Sequence, residues 1–259
     1  MRNPHGTPIW YELQTADPDA SKTFYDRVIG WTVGAQPEGE MDYRMIATAD
    51  GGAVGGMMRL MPGMQSGGAR PSWLFYIGVD DVDATVDRIK ALGGGVTMGP
   101  MDLPGVGRMA MVTDPQGIPF YVMRGAIDAA SGAFQRDGMG KCNWNELATP
   151  DHDAANAFYA ELFGWSYPDR MTMPGDMGDY VFVEVNGQPI GATLKQGAEG
   201  QPAGWQFYFR APDIEDAAAK VREGGGSVHA GPMEVPGGDR IIVASDPHGV
   251  MFGVVGPGA

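Results

Sequence analysis

Residues 9–17 read Ile-Trp-Tyr-Glu-Leu-Gln-Thr-Ala-Asp, and residues 142–151 read Cys-Asn-Trp-Asn-Glu-Leu-Ala-Thr-Pro-Asp. The shared pattern is Trp-x-Glu-Leu-x-Thr-x-Asp, which pairs Trp10 with Trp144 and Glu12 with Glu146. Outward from this stretch the whole chain is written twice. FYDRVIGW at 24–31 matches FYAELFGW at 158–165, and the glycine triplet at 93–95 matches that at 224–226. Gly99-Pro100 matches Gly231-Pro232, and DPQG at 114–117 matches DPHG at 246–249. Self-similarity at a nearly fixed offset marks a duplicated domain. The expected organisation is therefore one domain over 1–124, a linker over 125–140 and a second domain over 141–259.

Each half divides again. An apolar strand over 10–15 is followed by Asp17-Pro18-Asp19, an Asp cap with proline in the first turn, and then by Ala20, Phe24 and Val28 at helical spacing. Strands are expected near 43–48 and 53–59. The pattern restarts with a strand over 73–79 and a helix over 82–92 that presents Val82, Val86 and Ile89 on one face and stops at Gly93. Strands near 107–113 and 118–124 close the half around the DPQG turn. In the second half Asn186-Gly187 is a hairpin signal between strands at 180–185 and 190–194. The fold expected is α+β: four βαβββ units whose curved sheets close two half-barrel cavities.

Bulk properties narrow the function. The chain has 259 residues, 43% of them hydrophobic, so a packed core is attainable. A net charge of −14, spread over both halves, argues against nucleic acid or anionic membrane as partners. No apolar run is long enough to span a bilayer, and the N-terminal residues lack the apolar stretch of a secretory signal. The single cysteine, Cys142, excludes an internal disulfide. A cytoplasmic protein, monomeric or homodimeric, is expected from these features.

The ensemble of a first strand, D-x-x-A-x-x-FY-x-x-x-x-GW, V-D-D-V before a helix ending in glycines, GP, and DPxG before a last strand resembles the vicinal-oxygen-chelate superfamily. This is the glyoxalase, bleomycin-resistance and extradiol-dioxygenase group, and the doubled Trp-x-Glu-Leu form is similar to its two-domain glyoxalase-like members, often labelled hydroxylases. The resemblance implies a divalent metal held by His and Glu side chains on first and last strands. Those positions fall on Trp10, Leu74 and Tyr121 in the first half and on Trp144, Gln206 and Gly253 in the second. None is His, Asp, Glu or Cys, the donors divalent metals need. No metal site and no other cofactor are expected at these positions.

What remains is a cavity wall. Glu12 and Glu146 lie two residues beyond the tryptophans, on the same strand face. Each is either a base or hydrogen-bond acceptor for a ligand, or a structural carboxylate tied to an arginine or a backbone amide. Trp10, Tyr76, Tyr121, Met123, Trp144, Gln206 and Tyr208 are the expected ligand contacts. Twelve of the 18 methionines precede Ala130 and suit either an irregular apolar cavity or ordinary core filling. Trp73 and Trp205 are expected to pack on helices. Cys142 reads as a small hydrophobe, His248 and His152 as solvated turn and cap residues, and His5 as part of a mobile terminus. The segment 50–56 reads as a hairpin rather than a phosphate loop. Two functions follow: a small-molecule binding protein for an apolar or aromatic ligand, or a superfamily enzyme of glyoxalase, dioxygenase or hydroxylase type. The enzyme would use Glu12 or Glu146 as general base, or recruit metal at unusual positions.

Overall fold

The computed structural model describes residues 2–39, 41–175, 178–197 and 203–258. The first repeat runs β1 (Thr7–Thr15), α1 (Pro18–Val28), β2 (Thr32–Val33), β3 (Tyr43–Ala47), β4 (Ala53–Arg59), the short α2 (Pro62–Ser66), β5 (Ser72–Gly78), α3 (Val82–Ala91), β6 (Gly95–Leu103), β7 (Gly107–Thr113) and β8 (Pro119–Gly125). The second runs β9 (Cys142–Thr149), α4 (His152–Phe163), β10 (Arg170–Thr172), β11 (Asp179–Val185), β12 (Gln188–Lys195), β13 (Gly204–Arg210), α5 (Ile214–Glu223), β14 (Ser227–Glu234), β15 (Arg240–Ser245) and β16 (Met251–Gly256). Each repeat contributes one eight-stranded mixed sheet, ordered β2-β3-β4-β1-β5-β8-β7-β6 and β10-β11-β12-β9-β13-β16-β15-β14. The α+β class and the four βαβββ units are as the sequence implies.

Local chemistry explains the elements. The Asp17 side chain accepts the Ala20 N–H and Pro18 opens α1; Asp151 caps α4 through Ala154 N–H, and Gly164 ends α4 in the left-handed region. Asn186 and Gly187 both take positive φ, as a two-residue hairpin turn requires. β6 and β14 are absent from the sequence reading for a physical reason. Both are bulged outer strands that alternate between half-buried and exposed, so no buried period-two pattern marks them.

Packing cuts across the repeats. One compact unit comprises Trp10–Leu74, Gly132–Asn143 and Gln206–Ala259; the other comprises Met1–Ile9, Phe75–Ser131 and Trp144–Trp205. They are called the Tyr25 and Tyr159 units after their central side chains, both fully buried. In the Tyr25 unit the hydroxyl of Tyr25 donates to Asp246 of the DPHG turn (3.3 Å) and accepts the Trp73 indole N–H (3.1 Å). Trp31 stacks on Tyr25 and donates to the Gly140 carbonyl (2.7 Å). In the Tyr159 unit Tyr159 donates to Asp114 of the DPQG turn (3.3 Å) and accepts from Trp205 (3.3 Å). Trp165 stacks on Tyr159 and donates to the Gly6 carbonyl (2.8 Å). The FY and GW residues of one repeat thus serve the DPxG turn and entry strand of the other. Trp73 and Trp205 do pack on helices, by way of these tyrosines.

Asp114 and Asp246 each also accept two backbone N–H groups of their own turn, at 2.9 Å. Burial raises the pKa of both, opposed by those amides. Burial, and next the aspartate charge, push the phenols of Tyr25 and Tyr159 well above their ordinary range.

Candidate functional site

β1 presents Trp10, Glu12 and Gln14 on one face, while Tyr11 and Leu13 are fully buried on the other. Tyr11 packs edge-on against Phe207 and Phe209, so the buried aromatics hold the strand and the opposite face carries the polar groups. The Trp10 indole donates to the Tyr43 hydroxyl (2.9 Å), and that hydroxyl is hydrogen-bonded to Glu12. Glu12 is 2% exposed and also accepts the Gln14 amide (3.2 Å). Burial pushes the Tyr43 phenol up, the Glu12 charge adds to the rise, and the Trp10 hydrogen bond opposes it.

Glycine makes this contact possible. In the β1–β4 register Glu12 lies opposite Gly56, and a Cβ there would stand 2.1 Å from the Tyr43 hydroxyl oxygen. The ring of Tyr43 therefore lies across bare backbone to reach the carboxylate.

β9 repeats the arrangement. Trp144 donates to the Tyr180 hydroxyl (2.7 Å), which donates to Glu146 Oε2 (2.8 Å). Phe182 meets Trp144 and Tyr180 edge to face, with centroids 6.1 and 5.7 Å away. Trp144, Glu146, Tyr180 and Phe182 are all half-buried. Tyr43 and Tyr180 are the residues that sequence reasoning missed. Their signal was present, since Tyr43 opens β3 and Tyr180 is the second residue of the matching β11. Each glutamate is bound by a tyrosine hydroxyl.

The other expected contacts form separate clusters. Tyr76 and Tyr121 are paired in the β5–β8 register and stack with centroids 4.2 Å apart at 11°; both are buried, and Met123 follows Tyr121 on its strand face, half-buried. In β13 Gln206 donates its amide to the Tyr208 hydroxyl (2.9 Å). The Tyr208 ring lies over Gly253, where a Cβ would be 2.1 Å from it. Trp10 and Glu12 thus meet through Tyr43, Trp144 and Glu146 through Tyr180, and Tyr76 meets Tyr121 directly.

The residues at the six positions where the resemblance implies metal ligands are not a metal-binding set. Two indoles, a leucine and a glycine offer no lone pair, and a phenol and a carboxamide alone supply oxygen. Among the described residues no three His, Cys, Asp or Glu side chains gather to hold an ion. The histidines differ from expectation in two places. His5 is held, accepting the Asp80 N–H at Nδ1 (3.2 Å) with Nε2 on the Leu162 carbonyl (3.2 Å). His152 keeps a buried Nδ1 with no partner, rather than a solvated ring. Cys142 is fully buried, as a small hydrophobe would be. Met57 and Met109 belong to the core, whereas Met45 is 52% exposed.

Two surface clefts lie elsewhere. One of about 380 Å³ is lined by residues including Asp102, Arg108 and Arg124. The other, of about 310 Å³, includes Thr48, Asp50 and Lys141. The Lys141 ammonium donates to the Ala53 carbonyl (2.7 Å), and burial lowers its pKa. None of the expected site residues lines either cleft. No helix among the described residues is long and apolar enough to cross a membrane.

Comparison with known proteins places this geometry. The family model described as Glyoxalase/Bleomycin resistance protein/Dioxygenase superfamily matches residues 8–122 and again 141–254. A Mycobacterium bovis protein named "Putative glyoxylase CFP32" is 35% identical over 97% of this chain and 95% of its own length. The anthracycline biosynthesis protein DauV of a Streptomyces species is 32% identical over 96% of this chain and 93% of its own. Among solved structures, the Mn(II)-bound glyoxalase of Novosphingobium aromaticivorans shares the fold with a TM-score of 0.68. That likeness covers 98% of this chain and 83% of the other, at 20% identity.

Proposed function

The chain belongs to the Glyoxalase/Bleomycin resistance protein/Dioxygenase superfamily, and on that premise we propose that it binds a small apolar or aromatic molecule without the metal-ligand set usual in that family. The observation that carries this reading is the Trp–Tyr–Glu chain. At the first-strand position of each repeat stands an indole, which can donate a hydrogen bond but has no lone pair for a cation. The tryptophan instead orients a tyrosine and, through it, a carboxylate. Aromatic faces suited to an apolar ligand stand in two separate clusters: Trp144 with Phe182 beside this Trp–Tyr–Glu chain, and Tyr76 on Tyr121 elsewhere. A relative named for anthracycline biosynthesis is in keeping with a small-molecule role.

A second reading has one observation in its favour. The Tyr180 hydroxyl, 2.8 Å from Glu146, holds that carboxylate in place, so Glu146, or Glu12 in the first repeat, would take a substrate proton as the general base of a glyoxalase-, dioxygenase- or hydroxylase-type enzyme. Metal titration and fluorescence test the binding reading together. Zn, Ni, Mn and Fe are expected to show no stoichiometric uptake by the purified protein. A naphthalene-sized aromatic is expected to quench tryptophan emission, with Trp10→Ala or Trp144→Ala abolishing its binding. A tight one-to-one metal site overturns the metal-free reading, and binding that survives both substitutions moves the site elsewhere.

A further inference from the structure

We propose that Lys141 is a reactive amine that captures a neutral aldehyde as a reversible imine in the cleft of about 310 Å³ beside it. The cleft lies within the Tyr25 unit and none of the Trp–Tyr–Glu residues lines it, so the proposal does not depend on the binding reading above. Ile29, Ala49 and Met139 give the cleft apolar surface, and Thr48, Asp50 and Lys141 give it polar groups. Lys141 is 8% exposed, and two glycines make room for its side chain. A Cβ at Gly138 would stand 2.6 Å from Lys141 Cγ, and one at Gly52 would stand 2.8 Å from Nζ. The backbone is fixed as well: Lys141 N–H donates to the Gly138 carbonyl, and the Lys141 carbonyl accepts the Arg210 N–H.

The other four lysines differ from it in kind. Lys22, Lys90 and Lys220 each pair with an aspartate on their own helix, and Lys195 is exposed. A carboxylate partner favours the ammonium form, which has no lone pair to attack with. Lys141 has no ion-pair partner among the described residues; its Nζ donates to the Ala53 carbonyl at 2.7 Å. Burial lowers its pKa, and the Asp50 charge opposes this only in part. The neutral amine keeps one N–H on that carbonyl and has its lone pair for an aldehyde carbon. Attack forms the C–N bond, the two amine protons pass to the aldehyde oxygen, which leaves as water, and the C=N bond closes. Protonated, the imine nitrogen again donates to Ala53. Nothing is oxidised or reduced. The Thr48 hydrogen bond holds the Asp50 carboxyl below its usual range, so a negative charge stands at the cleft and disfavours an anionic aldehyde.

The test treats the full chain at pH 7 with benzaldehyde and sodium cyanoborohydride, which traps each imine as a benzylamine. Peptide mass spectrometry reads the rate at each lysine separately from the N-terminal amine. Lys141 is expected to label about tenfold faster than Lys195. Gly52→Ala, whose methyl would occupy the place of Nζ, should bring Lys141 down to the Lys195 rate and leave the other lysines unchanged. Lys141→Arg keeps the charge and should remove the fast phase of whole-protein labelling. With 4-carboxybenzaldehyde the preference for Lys141 over Lys195 should fall about threefold, and Asp50→Asn should restore it. Circular dichroism checks that each variant is folded. Equal rates at Lys141 and Lys195 overturn the reactive amine. A fast rate that survives Gly52→Ala overturns its placement against the Ala53 carbonyl. An undiminished preference with 4-carboxybenzaldehyde overturns the choice of a neutral aldehyde.

Discussion

In the first repeat Glu12 is 2% exposed and accepts the Gln14 amide as well as the Tyr43 hydroxyl; in the second, Glu146 is half-buried and Ala148 stands where Gln14 would be. The hydrogen-bond direction is duplicated faithfully, but the solvation is not. Similar differences surround the motif. β3 buries Arg44 between Asp42 and Asp19, whereas β11 has Val181 at that position. Thr15 shares a hydrogen bond with Ser21, but Ala155 stands at the position matching Ser21 and the buried Thr149 hydroxyl has no partner. Tyr121 stacks on Tyr76, whereas its counterpart Gly253 lets Tyr208 lie on backbone. At these positions the first repeat carries the polar or aromatic partner on its own strands and helix. The second has Ala148, Ala155 and Gly253 where the first has Gln14, Ser21 and Tyr121.

Substitutions that exchange features between the repeats test this contrast, and the largest effect belongs to Arg44→Val. It leaves the Asp42 carboxylate, 3% exposed, with Arg59 as its remaining cation, and a loss of about 3 kcal/mol is expected in urea unfolding at pH 7. The Arg44 hydrogen bonds hold the Asp42 carboxyl below its usual range. Its stabilisation is therefore present above the ordinary carboxylate pKa of about 4 and is lost as pH falls through the depressed value. The gap between wild type and variant should narrow in that acid window; a gap that widens there contradicts the assignment.

Next is Gly253→Ala, whose methyl would press into the Tyr208 ring. About 2 kcal/mol of destabilisation is expected, together with a displaced Tyr208 ring resonance in NMR. Tyr43→Phe should follow at about 2 kcal/mol, since it strips a donor from the buried Glu12 and leaves the Trp10 N–H unpaired. Tyr180→Phe should cost about 1 kcal/mol or less, because water can reach the half-buried Glu146. Equal costs for the two tyrosines would erase the distinction between the buried Glu12 and the half-buried Glu146. The smallest effect is a gain: Ala155→Ser should give Thr149 the partner Thr15 already has and raise stability by about 0.5–1 kcal/mol, read from the thermal midpoint.

Much of the fold was legible because its signals are local. The Asp17 and Asp151 caps, the Asn186-Gly187 turn and the apolar spacing of α1 and α3 act within a few residues. The site was legible only in part. Alternation on β1 and β9 puts Trp10 with Glu12 and Trp144 with Glu146, but the tyrosines joining each pair come from β3 and β11, more than 30 residues away. The sequence marks Gly56 as the end of a hairpin segment and Gly253 as a position where the resemblance implies a metal ligand. Their purpose appears only when a ring from another part of the chain lies across them.

The sequence by itself determined the duplication, the βαβββ units and the face on which each tryptophan and glutamate lie, all of which follow from periodicity and turn chemistry. Only the tertiary structure decided which copy of each motif meets which. Tyr25 and Tyr159 are chemically equivalent, as are Asp246 and Asp114, so pairing in chain order or crossed between repeats would make the same hydrogen bonds. The path of the backbone selects the crossed arrangement, Tyr25 with Asp246 and Tyr159 with Asp114. Two identical motifs leave nothing in the residue string to distinguish one partner from the other.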